Sequence, residues 1–257
     1  NVTHKINCEA SVEFAQLCEK SGVANFVFAS SCSMYGAAGA LSRKEQDPKN
    51  PLTAYARSKV QVEQDYSRHH LGEMKFTSLR FATACGWSDR LRLDLVLNDF
   101  VASAILSGEI CILSDGTPWR PLIDVQDMCR AMLWGVLRSK DNGGSFLCIN
   151  AGSNQSNYTV LDLANAVKHL LPKSIISLNS DAPPDKRSYT VDFSLFEQLA
   201  PEYLPQLPLD VSIERLIQGI KNTSAVVHDF RSSNFIRLNA LKSYIAKGLL
   251  TDELRWA

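Results

Sequence analysis

The 257-residue chain sets 27 lysines and arginines against 27 aspartates and glutamates, and 45% of it is hydrophobic. Balanced charge without a basic run excludes an electrostatic nucleic-acid footprint, and no apolar run reaches the roughly 20 residues that a membrane span needs. Cys8, Cys18, Cys32, Cys85, Cys111, Cys129 and Cys148 form no Cys-x-x-Cys pair; they predict free, mostly buried thiols in a reducing, cytoplasmic setting and no metal site.

An amphipathic helix is predicted over 8–21, with Val12, Ala15, Leu17 and Cys18 near helical spacing and Gly22 ending it. The apolar run 26–29 suits a buried parallel strand. A Ser-, Gly- and Pro-rich loop fills 30–51, a helix covers 52–71, and a strand follows over 77–81. This alternation predicts a doubly wound α/β sheet. Beyond Gly86 the expected elements are a helix over 93–106, a strand over 110–113, a turn over 114–118, a helix over 125–137 and a strand over 145–150. A helix over 159–171 opens at Thr159 and closes before Pro172. The polar, Pro-rich stretch 180–190 reads as loop or edge strand, 211–221 as helix, and the tail holds a helix-like stretch over 234–248.

Three strand ends carry chemistry. In Tyr55-Ala56-Arg57-Ser58-Lys59 the phenol and ammonium stand at i and i+4, on one helix face. A phenol titrates near about 10; a neighbouring cation lowers that value and makes a general acid/base usable near neutrality. Ser30-Ser31-Cys32-Ser33-Met34-Tyr35-Gly36 leaves the strand over 26–29 at its carboxyl end, where open α/β sheets bind ligands. There Ser31 and Tyr55 can hold one substrate hydroxyl. Leu79-Arg80-Phe81-Ala82-Thr83-Ala84-Cys85-Gly86 is again a strand running into a loop, and all three ends converge on one crevice.

With these pieces in order, the chain resembles the extended short-chain dehydrogenases/reductases, in particular the nucleotide-sugar epimerase and dehydratase branch. The match is carried by Phe28 to Gly36, Asn50-Pro51, Tyr55 to Lys59, Leu79-Arg80-Phe81, Trp119 to Met128, and Lys186-Arg187-Ser188-Tyr189. The resemblance implies a Rossmann-like parallel sheet over 1–90 and a smaller, C-terminal substrate-binding lobe over 91–257, interleaved with returning sheet elements. It implies NAD, or NADP, as cofactor and a nucleotide-diphosphate sugar as substrate. Tyr55 would be the acid/base, Lys59 would contact the nicotinamide ribose and lower the pKa of Tyr55, and Ser31 would bond the reacting hydroxyl. Asn7, Ser30, Phe81 and Ala82 would join Tyr55 and Lys59 on the cofactor. Ser33, Thr83 and Asn98 would line the substrate site, with Arg120 and Arg187 on the diphosphate. A homodimer through the helices over 8–21 and 52–71 is implied as well.

Four departures narrow this. Cys32 and Ser33 stand where dehydratases of the branch carry Asp-Glu, which favours an epimerase. Thr83 replaces the substrate-binding Asn of 4-epimerases, and Asp124 replaces a family His. The Gly-rich phosphate turn and the first strands are absent, so the natural protein is expected to extend about one hundred residues further at its N-terminus. The alternatives are an NADPH-dependent keto-sugar-nucleotide reductase or dehydrogenase, and a catalytically idle ligand-binding fragment of the same fold.

Overall fold

A computed structural model describes residues 2–37, 41–69, 72–179, 188–223 and 229–257. The chain opens helically, with α1 (Val2–His4), a π-helical segment (Lys5–Glu9) and α2 (Ala10–Lys20) in succession. Helix therefore starts earlier than its predicted beginning at residue 8. The polar residues Thr3, His4 and Lys5 hid that start from an apolar-periodicity reading.

The predicted strands appear as β1 (Asn25–Ser31) and β2 (Lys75–Phe81), linked by α3 (Ala54–Ser67). They pair in parallel from Asn25 with Lys75 to Ser31 with Phe81. β2 pairs in parallel with β6 (Phe146–Ala151), which gives the order β1-β2-β6. Alternation along the strands decides what covers each face. Phe28 and Phe76 point to α2 and α3, where Tyr66 stacks on Phe76 at 4.3 Å between ring centroids. Val27 and Thr77 point the other way, to Gly135 on α5 (Val125–Leu137). Helices on both faces of a parallel sheet make it doubly wound, as expected.

A second region returns between these elements. β3 (Thr83–Cys85) pairs in parallel with β5 (Trp119–Asp124), which pairs antiparallel with β7 (Asn157–Thr159). β4 (Glu109–Ile112) pairs in parallel with β8 (Ile175–Leu178). Around them pack α4 (Val96–Leu106), α6 (Val160–Leu170) and α8 (Leu209–Asn222), with Leu97, Val101, Ile110, Leu163, Ile213 and Leu216 in one core. Thr159 caps α6 reciprocally with Asp162, a capping box. α7 (Ser194–Leu199) packs Phe196 against Trp134 of the first region. The tail carries α9 (Arg237–Ala246). Residues 180–187 of the expected loop or edge strand lie outside the described residues.

All seven cysteines are free. Cys8, Cys32 and Cys85 are buried, whereas Cys129 is exposed, against the expectation of mostly buried thiols: it sits on the outward face of α5. Among the described residues no helix is long and apolar enough to cross a membrane.

Candidate active site

β1 ends where its backbone turns into a short 3₁₀ segment (Cys32–Tyr35), and Ser31 caps that segment. The Ser31 hydroxyl accepts the Ser33 N–H at 3.2 Å and donates to the Ser33 hydroxyl at 2.9 Å. Gly36 then takes φ +62°, and a Cβ there would lie 1.9 Å from the Asn50 carbonyl oxygen. Only glycine lets the Asn50-Pro51 loop close over this turn. Asn50 N–H reaches back to the Met34 carbonyl at 2.9 Å.

Pro51 precedes α3, whose N-cap Thr53 accepts from Ala56 N–H at 3.1 Å. The cap places Tyr55 in the first turn, 44% exposed and close to Ser31. One turn on, the Lys59 ammonium donates to the Ala29 carbonyl at 2.8 Å, 4.5 Å from the Phe28 ring centroid and 5.5 Å from that of Tyr55. Burial lowers the Lys59 pKa. Burial raises that of Tyr55, opposed by the nearby Ser31 hydroxyl and the Arg92 guanidinium. The expected lowering of Tyr55 by Lys59 is thus not what this structure shows. Lys59 is held by a backbone carbonyl, and packing around the phenol outweighs the cations near it.

Tyr189 is buried close to Thr83 on β3. Burial raises the Tyr189 pKa, and Arg120 and Thr83 pull it back. Arg120, on β5, donates to the Trp119 carbonyl at 2.8 Å. Ser31, Ser33, Tyr55, Lys59, Thr83 and Arg120 therefore gather around the strand ends, and Arg187 lies outside the described residues.

Other expected site residues are buried or, like Asn7, held within a helical segment. Ser30 is 3% exposed and donates to Glu63 at 2.8 Å. Phe81 and Ala82 are buried, and Ala82 N–H bonds the Ala151 carbonyl at 3.1 Å. Asn7 sits in the π-helical segment, where its carbonyl accepts from Ser11 at 3.1 Å. The Asn98 amide is 2% exposed and committed to backbone: it accepts Gly86 N–H at 3.1 Å and donates to the Arg92 carbonyl at 2.9 Å. Asn98 shapes the loop over 86–95 from beneath and does not present its amide to a ligand. Asp124 caps α5 through Gln126 N–H at 2.9 Å and accepts from Ser212 at 2.8 Å. Gly86, at φ +96°, leaves room for that carboxylate, which a Cβ would approach to 2.2 Å.

Two neighbours of the site carried no role in the sequence reading, Arg92 and Tyr189. Tyr189 ended a quoted motif. Arg92 sits in an irregular loop, and only the fold shows that the loop passes Tyr55.

Comparison with known proteins adds the family. The model of the NAD dependent epimerase/dehydratase family matches residues 1–152. A Methanocaldococcus jannaschii protein, provisionally named a UDP-glucose 4-epimerase, is 22% identical over 85% of this chain and 70% of its own length. The UDP-glucuronic acid 4-epimerase of Bacillus cereus, solved with UDP-glucuronic acid and NAD, superposes with a TM-score of 0.71 at 21% identity. That match covers 84% of this chain and 67% of the other. The dTDP-glucose 4,6-dehydratase of Bacillus anthracis, solved with NAD, gives 0.73 at 17% identity over 88% of this chain and 71% of the other. At these identities the solved structures speak to the shared fold.

Proposed function

Since the chain belongs to the NAD dependent epimerase/dehydratase family, we propose that it epimerises a nucleotide-diphosphate sugar, using NAD. The observation that carries the reading is the cluster of Ser31, Tyr55 and Lys59 at the carboxyl ends of parallel strands. The donors suit the ribose of a dinucleotide. An ammonium offers three N–H groups, and one of those on Lys59 is bonded to Ala29, so the others can meet ribose hydroxyls. Lys59, Tyr55 and the backbone near Phe81 and Ala82 would hold that end of NAD. Bound NAD supplies reversible hydride acceptance at a sugar carbon.

The chain's own residues handle the proton and the pose. Ser31 and Tyr55 share the reacting hydroxyl, and Tyr55, in its ionised form, takes its proton and later returns it. Ser33 and Thr83 line the sugar side, while Arg120 and Arg187 pair with the diphosphate. Asn98 acts through the loop it shapes. The absence of an Asp-Glu pair at Cys32 and Ser33 favours epimerisation over dehydration: burial pushes the Cys32 thiol far up, and Cys32 donates to the Arg80 carbonyl, so it offers no acid or base for expelling water. We assign the β1-β2-β6 region to the cofactor, the lobe of α4, α6 and α8 to the nucleotide sugar, and α2 with α3 to a homodimer contact.

Incubation with UDP-glucose or UDP-glucuronic acid and NAD, followed by proton NMR, tests this. The expected result is epimer interconversion without net NADH, and a Tyr55→Phe rate lower by about 10²–10⁴-fold with substrate affinity kept. Stoichiometric reduction or oxidation of cofactor would replace the epimerase with a dehydrogenase or reductase. Equal loss of binding and rate in Tyr55→Phe would remove Tyr55 as the acid/base.

A further inference from the structure

The first region and the second lobe meet along the segment 188–193. On the lobe side, Asn157 of β7 accepts Val191 N–H at 2.9 Å and donates to the Val191 carbonyl at 3.0 Å. Ser188 accepts the N–H of Trp119 at 3.1 Å, at the start of the strand that carries Arg120. On the other side the segment lies parallel to the loop that follows the Ser31 turn, with Arg43 opposite Val191. There Arg43 N–H meets the Thr190 carbonyl, and Asp192 N–H meets the Arg43 carbonyl, each at 2.9 Å.

One side chain of the parallel sheet reaches across this seam. Asn150, near the end of β6, is 0% exposed. Its Nδ2 donates to the Arg43 carbonyl at 3.2 Å and to the Asp192 carbonyl at 3.1 Å. Its Oδ1 accepts the Tyr35 hydroxyl at 2.7 Å. Two carbonyls on one side and a hydroxyl on the other fix which way the amide points. Tyr35, 1% exposed, ends the 3₁₀ segment that starts directly after Ser31. Its oxygen accepts from Arg80 at 3.1 Å, and Arg80 forks onto Glu63 of α3, the helix of Tyr55 and Lys59. A line of hydrogen bonds therefore runs from Asp192 through Asn150, Tyr35, Arg80 and Glu63 to the helix of the acid/base. A leucine at 150 would fill similar space without burying an amide. What the amide adds is direction, between segments far apart in the chain.

We propose that Asn150 and Tyr35 are positioning residues for the reaction. Their mutual hydrogen bond sets the Ser31 turn, and α3 behind it, against the segment that holds the strand of Arg120. Neither side chain touches a ligand, because both are closed off from solvent. Their effect falls on how a sugar held by the second lobe lines up with Ser31 and Tyr55. A displacement of about 1 Å costs about 10²-fold in rate, so the geometry of this seam is felt at the reacting atoms. The inference rests on the epimerase reading and adds to it the residues that align its two halves.

Steady-state epimerisation with NAD tests it, on whichever of UDP-glucose and UDP-glucuronic acid the wild type turns over. The proteins compared are wild type, Tyr35→Phe, Asn150→Ala and the double variant, each with a thermal melt. Tyr35→Phe removes one oxygen and is expected to stay folded, with kcat lower by up to about 10²-fold and KM little changed. Asn150→Ala should do the same. The double variant should be no slower than the slower single, since both act through one bond. If Asn150→Ala does not fold, Tyr35→Phe decides by itself. An unchanged kcat in folded Tyr35→Phe overturns the proposal and leaves the epimerase standing. So does a loss confined to KM, which would place the seam in binding, and so do losses that multiply in the double variant, which would mean two separate structural roles. If wild type turns over neither sugar, the epimerase reading falls and the inference with it.

Discussion

Tyr55 and Lys59 show what one turn of helix can and cannot decide. Spacing alone put them on one face, and Ser31 was legible from its place after an apolar run. What spacing does not give is the direction of the ammonium. Lys59 spends its shortest contact, 2.8 Å, on the Ala29 carbonyl. Burial then raises Tyr55 and lowers Lys59. A raised phenol contributes stability that is present below the ordinary tyrosine range and lost as pH rises through its folded value. A lowered ammonium contributes stability present above the ordinary lysine range and lost as pH falls through its folded value. We predict that, in the protein without cofactor, the phenolate absorbance assigned by subtracting Tyr55→Phe from wild type develops above pH about 10, the free-phenol value. A midpoint below that value would show that Lys59 or Arg92 outweighs burial. Arg92 itself was illegible, because an irregular loop has no periodicity that says which neighbour it will pass.

At the scale of elements, the site depends on how α3 is seated on the sheet. Glu63 is 3% exposed, on the same helix as Tyr55 and Lys59. Its carboxylate accepts from Ser30 on β1 at 2.8 Å, from Ser78 on β2 at 2.9 Å, and from the Arg80 fork with a shortest contact of 2.7 Å. Arg80 also reaches the Tyr35 hydroxyl at 3.1 Å and the Glu45 carbonyl at 2.9 Å. Burial works against the charged Arg80, but the Glu63 carboxylate more than compensates, and the Arg80 pKa rises. Removing one partner of a buried pair leaves a charge without its counterpart. We predict that Glu63→Ala costs about 3–5 kcal/mol in urea unfolding, with Glu63→Gln milder because it keeps an acceptor. A loss below about 1 kcal/mol would mean that Tyr35 and Glu45 satisfy Arg80 by themselves.

The same scale explains which elements could be read. β1, β2, β6 and α5 announced themselves as apolar runs or helical stripes, and α5 runs from Val125 to Leu137 as expected. β3 and β7 have three residues each, too few for a pattern to emerge. β5 opens with Trp119-Arg120-Pro121, whose proline argues against a strand until antiparallel pairing with Asn157 at its end is seen. β8 exists because Ile175 to Leu178 add to β4, a partner more than sixty residues upstream that local sequence cannot name.

At the scale of the molecule, three cores divide the labour. One lies between the sheet and α2 with α3, one between the sheet and α5 with α7, and one inside the second lobe. The outward side of the first core is left apolar. Ile6, Phe14 and Leu17 are each 60% exposed along the opening helical run, although Phe14 also touches Phe26 edge-on at 6.0 Å. Contiguous exposed apolar surface on a helix marks an association site, and a self-complementary contact between two copies is the commonest closed solution. A homodimer through α2 and α3, as proposed, would use this surface, so it should be sensitive to charge there and indifferent to charge on the opposite face of the sheet. We predict that wild type sediments as a dimer at about 10 μM, a concentration well above the dissociation constants of stable interfaces. Leu17→Glu should shift it to monomer, because a carboxylate would lose its water on association. Leu133→Glu, on the exposed side of α5 with Leu133 at 52%, should leave the dimer intact. A monomeric wild type would remove the dimer from the assignment. A dimer broken by Leu133→Glu and spared by Leu17→Glu would move the contact to the face of α5.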